Sequence, residues 1–322
     1  MADIARFLRF DNQPPLIRLF LSFCTVIITG TLFFRVLILC GSLMFGLEPG
    51  KMVQLPPGGH EGQISYILKY VQFSQQTGLF LIPSLLIAWL MNEGAGAWLR
   101  TGKWPKALPV LMAVILPVVI IPVINYTGFL NSKLELPGSM SGVQHWMRSR
   151  EDSAAYLTSK LIASPGLFTF MVNLFILAIL PSVCEEFLFR GVIQRLLSEF
   201  FRSSHAGIWV TAVIFSSVHL QFFGFVPRMM LGLLFGYMFW WSRNLWYPVI
   251  THFVNNAIPV TVAWLNGWKS GVVQPAETGE RIPSVVFAAI ISALLLYYFW
   301  SQFRTRSAPS GDLPAGSGNT GN

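Results

Sequence analysis

Charge is what this chain has least of. Only 11% of its 322 residues are Asp, Glu, Lys or Arg, against about 25% in an ordinary soluble domain. With 53% apolar residues and a mean hydropathy of +0.57, that shortage excludes a soluble globular domain and points to a polytopic membrane protein. Acids are scarcer than bases, 14 against 22. The bases are scattered through short loops and form no basic stripe, which excludes a nucleic-acid partner and fits the positive bias of cytoplasmic loops. Cysteine is scarce too. Cys24, Cys40 and Cys184 all fall in apolar runs, with neither the spacing of a zinc motif nor that of a disulfide framework. Cys184 precedes Glu185 but has no base at helical spacing, so it reads as a small buried apolar residue. Also missing are an internal repeat, which argues against a transporter built from two similar halves, and a cleavable signal peptide, because the first apolar run is too long for one.

Long apolar runs are plentiful. A spanning helix needs about 20 mostly apolar residues. Eight segments qualify, at about 18–47, 76–99, 106–126, 164–184, 207–223, 226–243, 247–266 and 284–303, and the fourth continues through its acids to about Phe201. The expected fold is an all-α membrane protein, a bundle of about eight transmembrane helices with an intramembrane active-site cavity. Four stretches organise it: 1–163, N-terminal helices with a polar loop and an amphipathic segment; 164–266, the core that carries the chemistry; 267–303, the last loop and helix; and 304–322, a disordered tail with almost no apolar content. Residues 48–75 read as a loop leading into a short helix, and 137–163 as an amphipathic helix at the interface. Counting Lys and Arg at the span ends places both termini in the cytoplasm, by a narrow margin. Arg35, inside the first run, reads as a structural residue that snorkels to an interface or pairs across helices.

The few charges at membrane depth are clustered. Pro181-Ser182-Val183-Cys184-Glu185-Glu186-Phe187-Leu188-Phe189-Arg190-Gly191 places three ionisable groups in an oily stretch, where each costs about 2.5–3.5 kcal/mol on insertion scales. Glu186 and Arg190 are four apart and share a helix face, acid first, the favourable order. Glu185 is rotated about 100° from Glu186 and about 140° from Arg190 by the helical period, so it is the acid less well placed to pair locally. The bland alternative is a structural ion pair plus one acid satisfied by another helix.

Two further pairs follow. Phe215 and His219 are four apart in Ala212-Val213-Ile214-Phe215-Ser216-Ser217-Val218-His219, and so are His252 and Asn256 in Thr251-His252-Phe253-Val254-Asn255-Asn256. Singly, each histidine reads as well as a hydrogen-bonded core residue or as glue between helices. Together, one acid, two imidazoles and an amide can hold a water, take its proton and stabilise an oxyanion.

Glu185-Glu186-x-x-x-Arg190, Phe215-x-x-x-His219 and His252-x-x-x-Asn256, in that order on successive helices, resemble the three motifs of the CAAX protease and bacteriocin-processing family of intramembrane proteases. The flank Phe189-Arg190-Gly191 and the glycine-rich Leu231-Gly232-Leu233-Leu234-Phe235-Gly236 belong to the same likeness, which covers about residues 165–262. The resemblance implies an eight-helix bundle with a conical cavity open to the cytosolic side and to lipid. It also implies endopeptidase activity on a membrane-associated peptide, lipidated in the eukaryotic precedent, with Glu185, Glu186, Arg190, His219, His252 and Asn256 as catalytic residues. A metalloprotease site would use Glu185, His219 and His252 as Zn2+ ligands, one oxygen and two nitrogens. The absence of His-Glu-x-x-His and the poor fit of asparagine as a ligand favour a metal-free site with no required cofactor. There Glu185 and His219 activate water while His252 and Asn256 stabilise the oxyanion. The alternatives are a non-enzymatic chaperone, immunity factor or scaffold on the same fold, and a proton-coupled transporter.

Overall fold

The computed structural model describes residues 10, 12–53, 61–91, 94–162, 166–266 and 281–304. Those residues form helices and no strands. We number ten principal helices: α1 Pro15–Phe45, α2 Ile64–Leu90, α3 Ala107–Val119, α4 Ile121–Ser132, α5 Ser141–Ile162, α6 Leu167–Phe200, α7 Ser204–Ser217, α8 Phe225–Ser242, α9 Trp246–Leu265 and α10 Ile282–Arg304. One-turn helices at Pro49–Val53 and Ala95–Trp98 lie between them.

Four of these, α1, α2, α6 and α10, are long and apolar enough to cross a membrane, and the bent pair α3–α4 makes a fifth. The chain is therefore a multi-pass membrane protein. The expected total of about eight is not reached on length and composition. The 14 residues of α7 rise about 21 Å, short of the roughly 30 Å hydrocarbon core.

Several expectations need correction. Glu61–Gln75 is not a separate short helix; it runs without interruption through a π turn, Gln76–Leu81, into Ile82–Leu90. The second span therefore begins earlier than 76 and ends before 99. Its polar first half looks extramembranous in sequence because Gln72, Gln75 and Gln76 interrupt the apolar run; in the fold they line an internal cavity. The third span is broken by 41° between α3 and α4, where Pro117 and Pro122 each remove a backbone donor. The expected continuation of the fourth span to about Phe201 matches α6, and the amphipathic segment is α5. Within the polar loop, 54–60 lie outside the described residues, as do 267–280 and the tail from 305. Arg35 is exposed on α1.

Chain direction sorts the loops to two ends. At one end the start of α1 meets the end of α6 through Arg18 and Glu199, at 2.9 Å. At the same end Phe10 N–H donates to Leu90 at the end of α2, Leu245 N–H donates to Arg100, and Tyr247 packs on Phe303 at the end of α10. At the other end, Asn131 in the last turn of α4 donates to the Phe222 carbonyl and accepts from Val226 N–H, Trp146 of α5 packs on Phe222, and Phe170 stacks on Trp264.

Small residues set the spacing between α6, α7 and α8. A Cβ on Gly207 would lie 2.6 Å from the Ser198 backbone nitrogen, and one on Gly232 would lie 3.1 Å from Ala212 Cα. This close approach exposes two α8 carbonyls to α6. Arg190 Nη2 donates to Gly232 O at 3.2 Å, and four residues on, Gln194 Nε2 donates to Gly236 O at 3.1 Å. Main-chain acceptors thus hold α8 against the charged helix.

Candidate active site

Glu186 and Arg190 are fully buried and joined at 2.8 Å, Nη1 to Oε1. The pair forms although a π turn, Phe187–Ile193, begins directly after Glu186. Aromatic faces complete the cage: the guanidinium lies 4.7 Å from the Phe215 ring centre and 5.3 Å from that of Phe235, a cation–π arrangement that gains strength where water is excluded. His252 Nδ1 donates to the same Glu186 Oε1 at 2.8 Å, with its ring stacked on Phe235 at 5.0 Å. The same Oε1 accepts from arginine, so the shared oxygen acts as the acceptor, the hydrogen sits on His252 Nδ1 and Nε2 is turned outward. That Nε2 lies 3.9 Å from Glu185 Oε2.

Glu185 faces the other way, into a cavity of about 520 Å³ between α2, α5, α6 and α9. Its Oε1 accepts from Gln76 Nε2 at 2.9 Å. His219 and Asn256 share that cavity, and Leu157, Leu161 and Ile162 of α5 cover it. The six expected residues thus divide into two layers. Glu185, His219 and Asn256 line the cavity, whereas Glu186, Arg190 and His252 stand behind it. His252, expected beside Asn256 as an oxyanion donor, is hydrogen-bonded to Glu186, with its Nε2 on the side of Glu185.

His219 also differs from expectation. It is not within the helix body: Val218 caps α7, and Leu220 follows with φ of 53°. Its Nδ1 donates to the Phe215 carbonyl at 2.7 Å, so the imidazole caps a carbonyl that the ended helix leaves without a partner. A carbonyl only accepts, so Nδ1 carries hydrogen and the neutral ring presents the Nε2 lone pair. Asn256 Oδ1 accepts from Asn255 at 3.2 Å, which leaves its amide hydrogens for another acceptor.

The chain order missed Gln76. It is only 4% exposed and holds the free acid from a helix 109 residues away. The available signal was the stripe Gln72, Gln75, Gln76, three amides on one face of an apolar helix. Among the described residues no three His, Cys, Asp or Glu side chains gather as a metal site.

The cavity and the chain ends lie toward opposite ends of the bundle. The cavity is on the side of α5; the start of α1 and the end of α10 are at the Arg18–Glu199 end.

Comparison with known proteins agrees with the motif region. A Bacillus subtilis (strain 168) protein, described as the uncharacterized protein YpbD, is 30% identical over 90 residues, 27% of this chain and 43% of that protein, so the chain matches less than half of its relative's length. No solved structure matches the chain. The type II CAAX prenyl endopeptidase Rce1-like family matches residues 167–258, from the start of α6 into α9. That stretch holds all three sequence motifs and covers less than a third of the chain.

Proposed function

We propose that the chain is an intramembrane endopeptidase that hydrolyses a peptide bond of a membrane-associated, lipidated peptide or protein. One observation carries the reading. Glu185 is a buried acid whose carboxylate faces a cavity instead of an arginine, while its neighbour Glu186 takes the charge-balancing role. Water in the cavity loses a proton to Glu185 and attacks the carbonyl. The Asn256 amide donates to the developing oxyanion, and the His219 Nε2 face relays a proton toward the departing amine. Glu186, Arg190 and His252 hold the acid from behind. The apolar wall of α5, with Leu68 and Val71 of α2, suits the hydrocarbon part of a lipidated chain, the substrate class that the name of the matched family prints.

In this reading α7, α8 and α9 also cross the bilayer, because they connect the same two ends as the longer helices, which brings the crossings to eight. Cytoplasmic termini then place the α5 end on the opposite face. No step requires a metal.

The test is cleavage of a membrane-embedded peptide library, lipidated and unlipidated, by purified protein. Glu185→Gln keeps the hydrogen-bond partner for Gln76 and should abolish cleavage with the fold intact. Full activity in that variant defeats the assignment. Exhaustively metal-stripped protein should retain cleavage; stoichiometric zinc whose removal and return switches activity off and on would reassign Glu185, His219 and His252 as ligands.

A further inference from the structure

The α2 wall of the catalytic cavity carries two amides that the chemistry above does not use. Gln72 and Gln75 line the cavity beside Gln76, on one face of the helix. Gln76 is bound to Glu185. Among the described residues Gln72 and Gln75 have no side-chain hydrogen-bond partner. Gln72 is half-buried with neither amide atom closed off, and Gln75 is exposed. Both lie within a helix long and apolar enough to span a membrane, where a polar side chain is costly and marks a substrate path. The π turn Gln76–Leu81 begins directly after them, a feature frequent at functional sites.

The rest of the polar lining is of the same kind. Gln221 Oε1 accepts from Arg228, which leaves its amide hydrogens for another acceptor. Among the described residues of the lining, Glu185 alone carries a formal charge. An ionic ligand would need an opposite charge to pair with. Amides, each a donor and an acceptor, instead match other amides, and the peptide main chain offers one N–H and one C=O per residue.

The spacing agrees. From Gln76, which holds the acid, to Gln72 is four residues, a rise of about 6 Å. Two residues of extended chain advance about 6.6 Å, and main-chain groups on one side of it recur at that interval. The direction leads under α5, because Ser65, two turns further on, donates to the Leu161 carbonyl at 3.3 Å.

We propose that Gln72 and Gln75 bind the main chain of an extended substrate segment, with Gln72 on the amide two residues from the scissile bond. The pair thereby selects an unfolded peptide with a free N–H at that position and rejects proline there. This assignment rests on the endopeptidase reading above and adds to it how the substrate is held.

The fastest-cut peptide of the membrane-embedded library is resynthesised with one N-methyl amide at each position near the scissile bond in turn. Wild type and the double variant Gln72→Leu with Gln75→Leu are compared in steady-state cleavage and in thermal unfolding. Leucine suits an apolar helix, so the variant should unfold no earlier than wild type. On the unmodified peptide it should raise KM about tenfold with kcat nearly unchanged. In wild type, N-methylation two residues from the scissile bond should also raise KM about tenfold. In the variant the same methyl group should cost less than about twofold, because the partner it blocks is already gone.

An equal penalty in both proteins, no penalty at that position in wild type, or a variant that loses kcat at constant KM overturns the proposal and leaves the endopeptidase reading standing. An earlier unfolding transition in the variant makes the amides structural and overturns it as well. Absence of any Glu185-dependent cleavage overturns that reading, and the proposal with it.

Discussion

His252 stands between two carboxylates. Its Nδ1 donates to Glu186 Oε1 at 2.8 Å while its Nε2 faces Glu185 Oε2 at 3.9 Å. One imidazole therefore lies between the charge-balanced pair and the acid in the cavity, bonded to the pair. Two kinds of loss separate here. His252→Ala should lower stability by about 1–3 kcal/mol, because Glu186 loses a buried donor, and should lower cleavage about a hundredfold or more. His252→Gln, whose amide can still donate to Glu186, should regain much of the stability and little of the activity. Thermal unfolding and peptide cleavage on the same preparations check this; recovery of activity along with stability would make His252 purely structural.

Gln76 orients the reactive acid from α2. Gln76→Ala frees Glu185 Oε1 and should lower kcat about tenfold, with little change in KM, because the amide touches the acid and not the substrate. A rise in KM at constant kcat would instead make Gln76 a substrate contact. Steady-state kinetics on one cleaved peptide decides it.

Arg190 reaches two acceptors at once, Glu186 Oε1 and Gly232 O, with the Phe215 and Phe235 rings within 6 Å of its guanidinium. Lysine has neither the fork nor the plane. Arg190→Lys should therefore behave nearly as badly as Arg190→Ala. Either single change leaves a buried acid poorly paired, at roughly 3–5 kcal/mol. Removing both charges, with Glu186→Gln and Arg190→Met, should be more stable than Arg190→Met alone. Denaturation in detergent measures all four, and a double variant no more stable than that single one would deny the pairing.

Glu151 on α5 is half-buried, and burial pushes its carboxyl above the ordinary value of 4.5, against the opposing pull of the Phe223 backbone hydrogen bond and of Arg228. An acid that holds its proton more tightly when folded lends stability at low pH and withdraws it as pH rises through the raised value. Wild type should therefore lose stability relative to Glu151→Gln as pH climbs from 4.5 through that interval. Unfolding temperatures of the two proteins across a pH series give the difference; a difference that grows in the opposite sense refutes the assignment.

How much of this was legible in sequence follows from how local each relationship is. The Glu186–Arg190 pair is four residues long, so spacing alone announces it. The continuity of α6 was equally plain, because apolar residues run on both sides of the acids. The His252–Glu186 contact joins residues 66 apart, and the packing of α9 on α6 decides it, not any local pattern. His219 was placed on the right motif but in the wrong setting, since α7 stops two residues before it. Gln76 was lost because a polar stripe at the start of a span looks the same as a loop; only the cavity distinguishes them. The π turns at Gln76–Leu81 and Phe187–Ile193 leave no residue signature and shift the faces that a regular period would assign.

The opposite placement of chain ends and cavity turns topology into a labelling experiment. A thiol introduced at Leu16, at the start of α1, and one introduced at Val143, on exposed α5, both lie on accessible surface. In sealed, right-side-out vesicles an impermeant reagent should modify one of them and spare the other. The modified position names the compartment from which a substrate arrives, without any substrate being known.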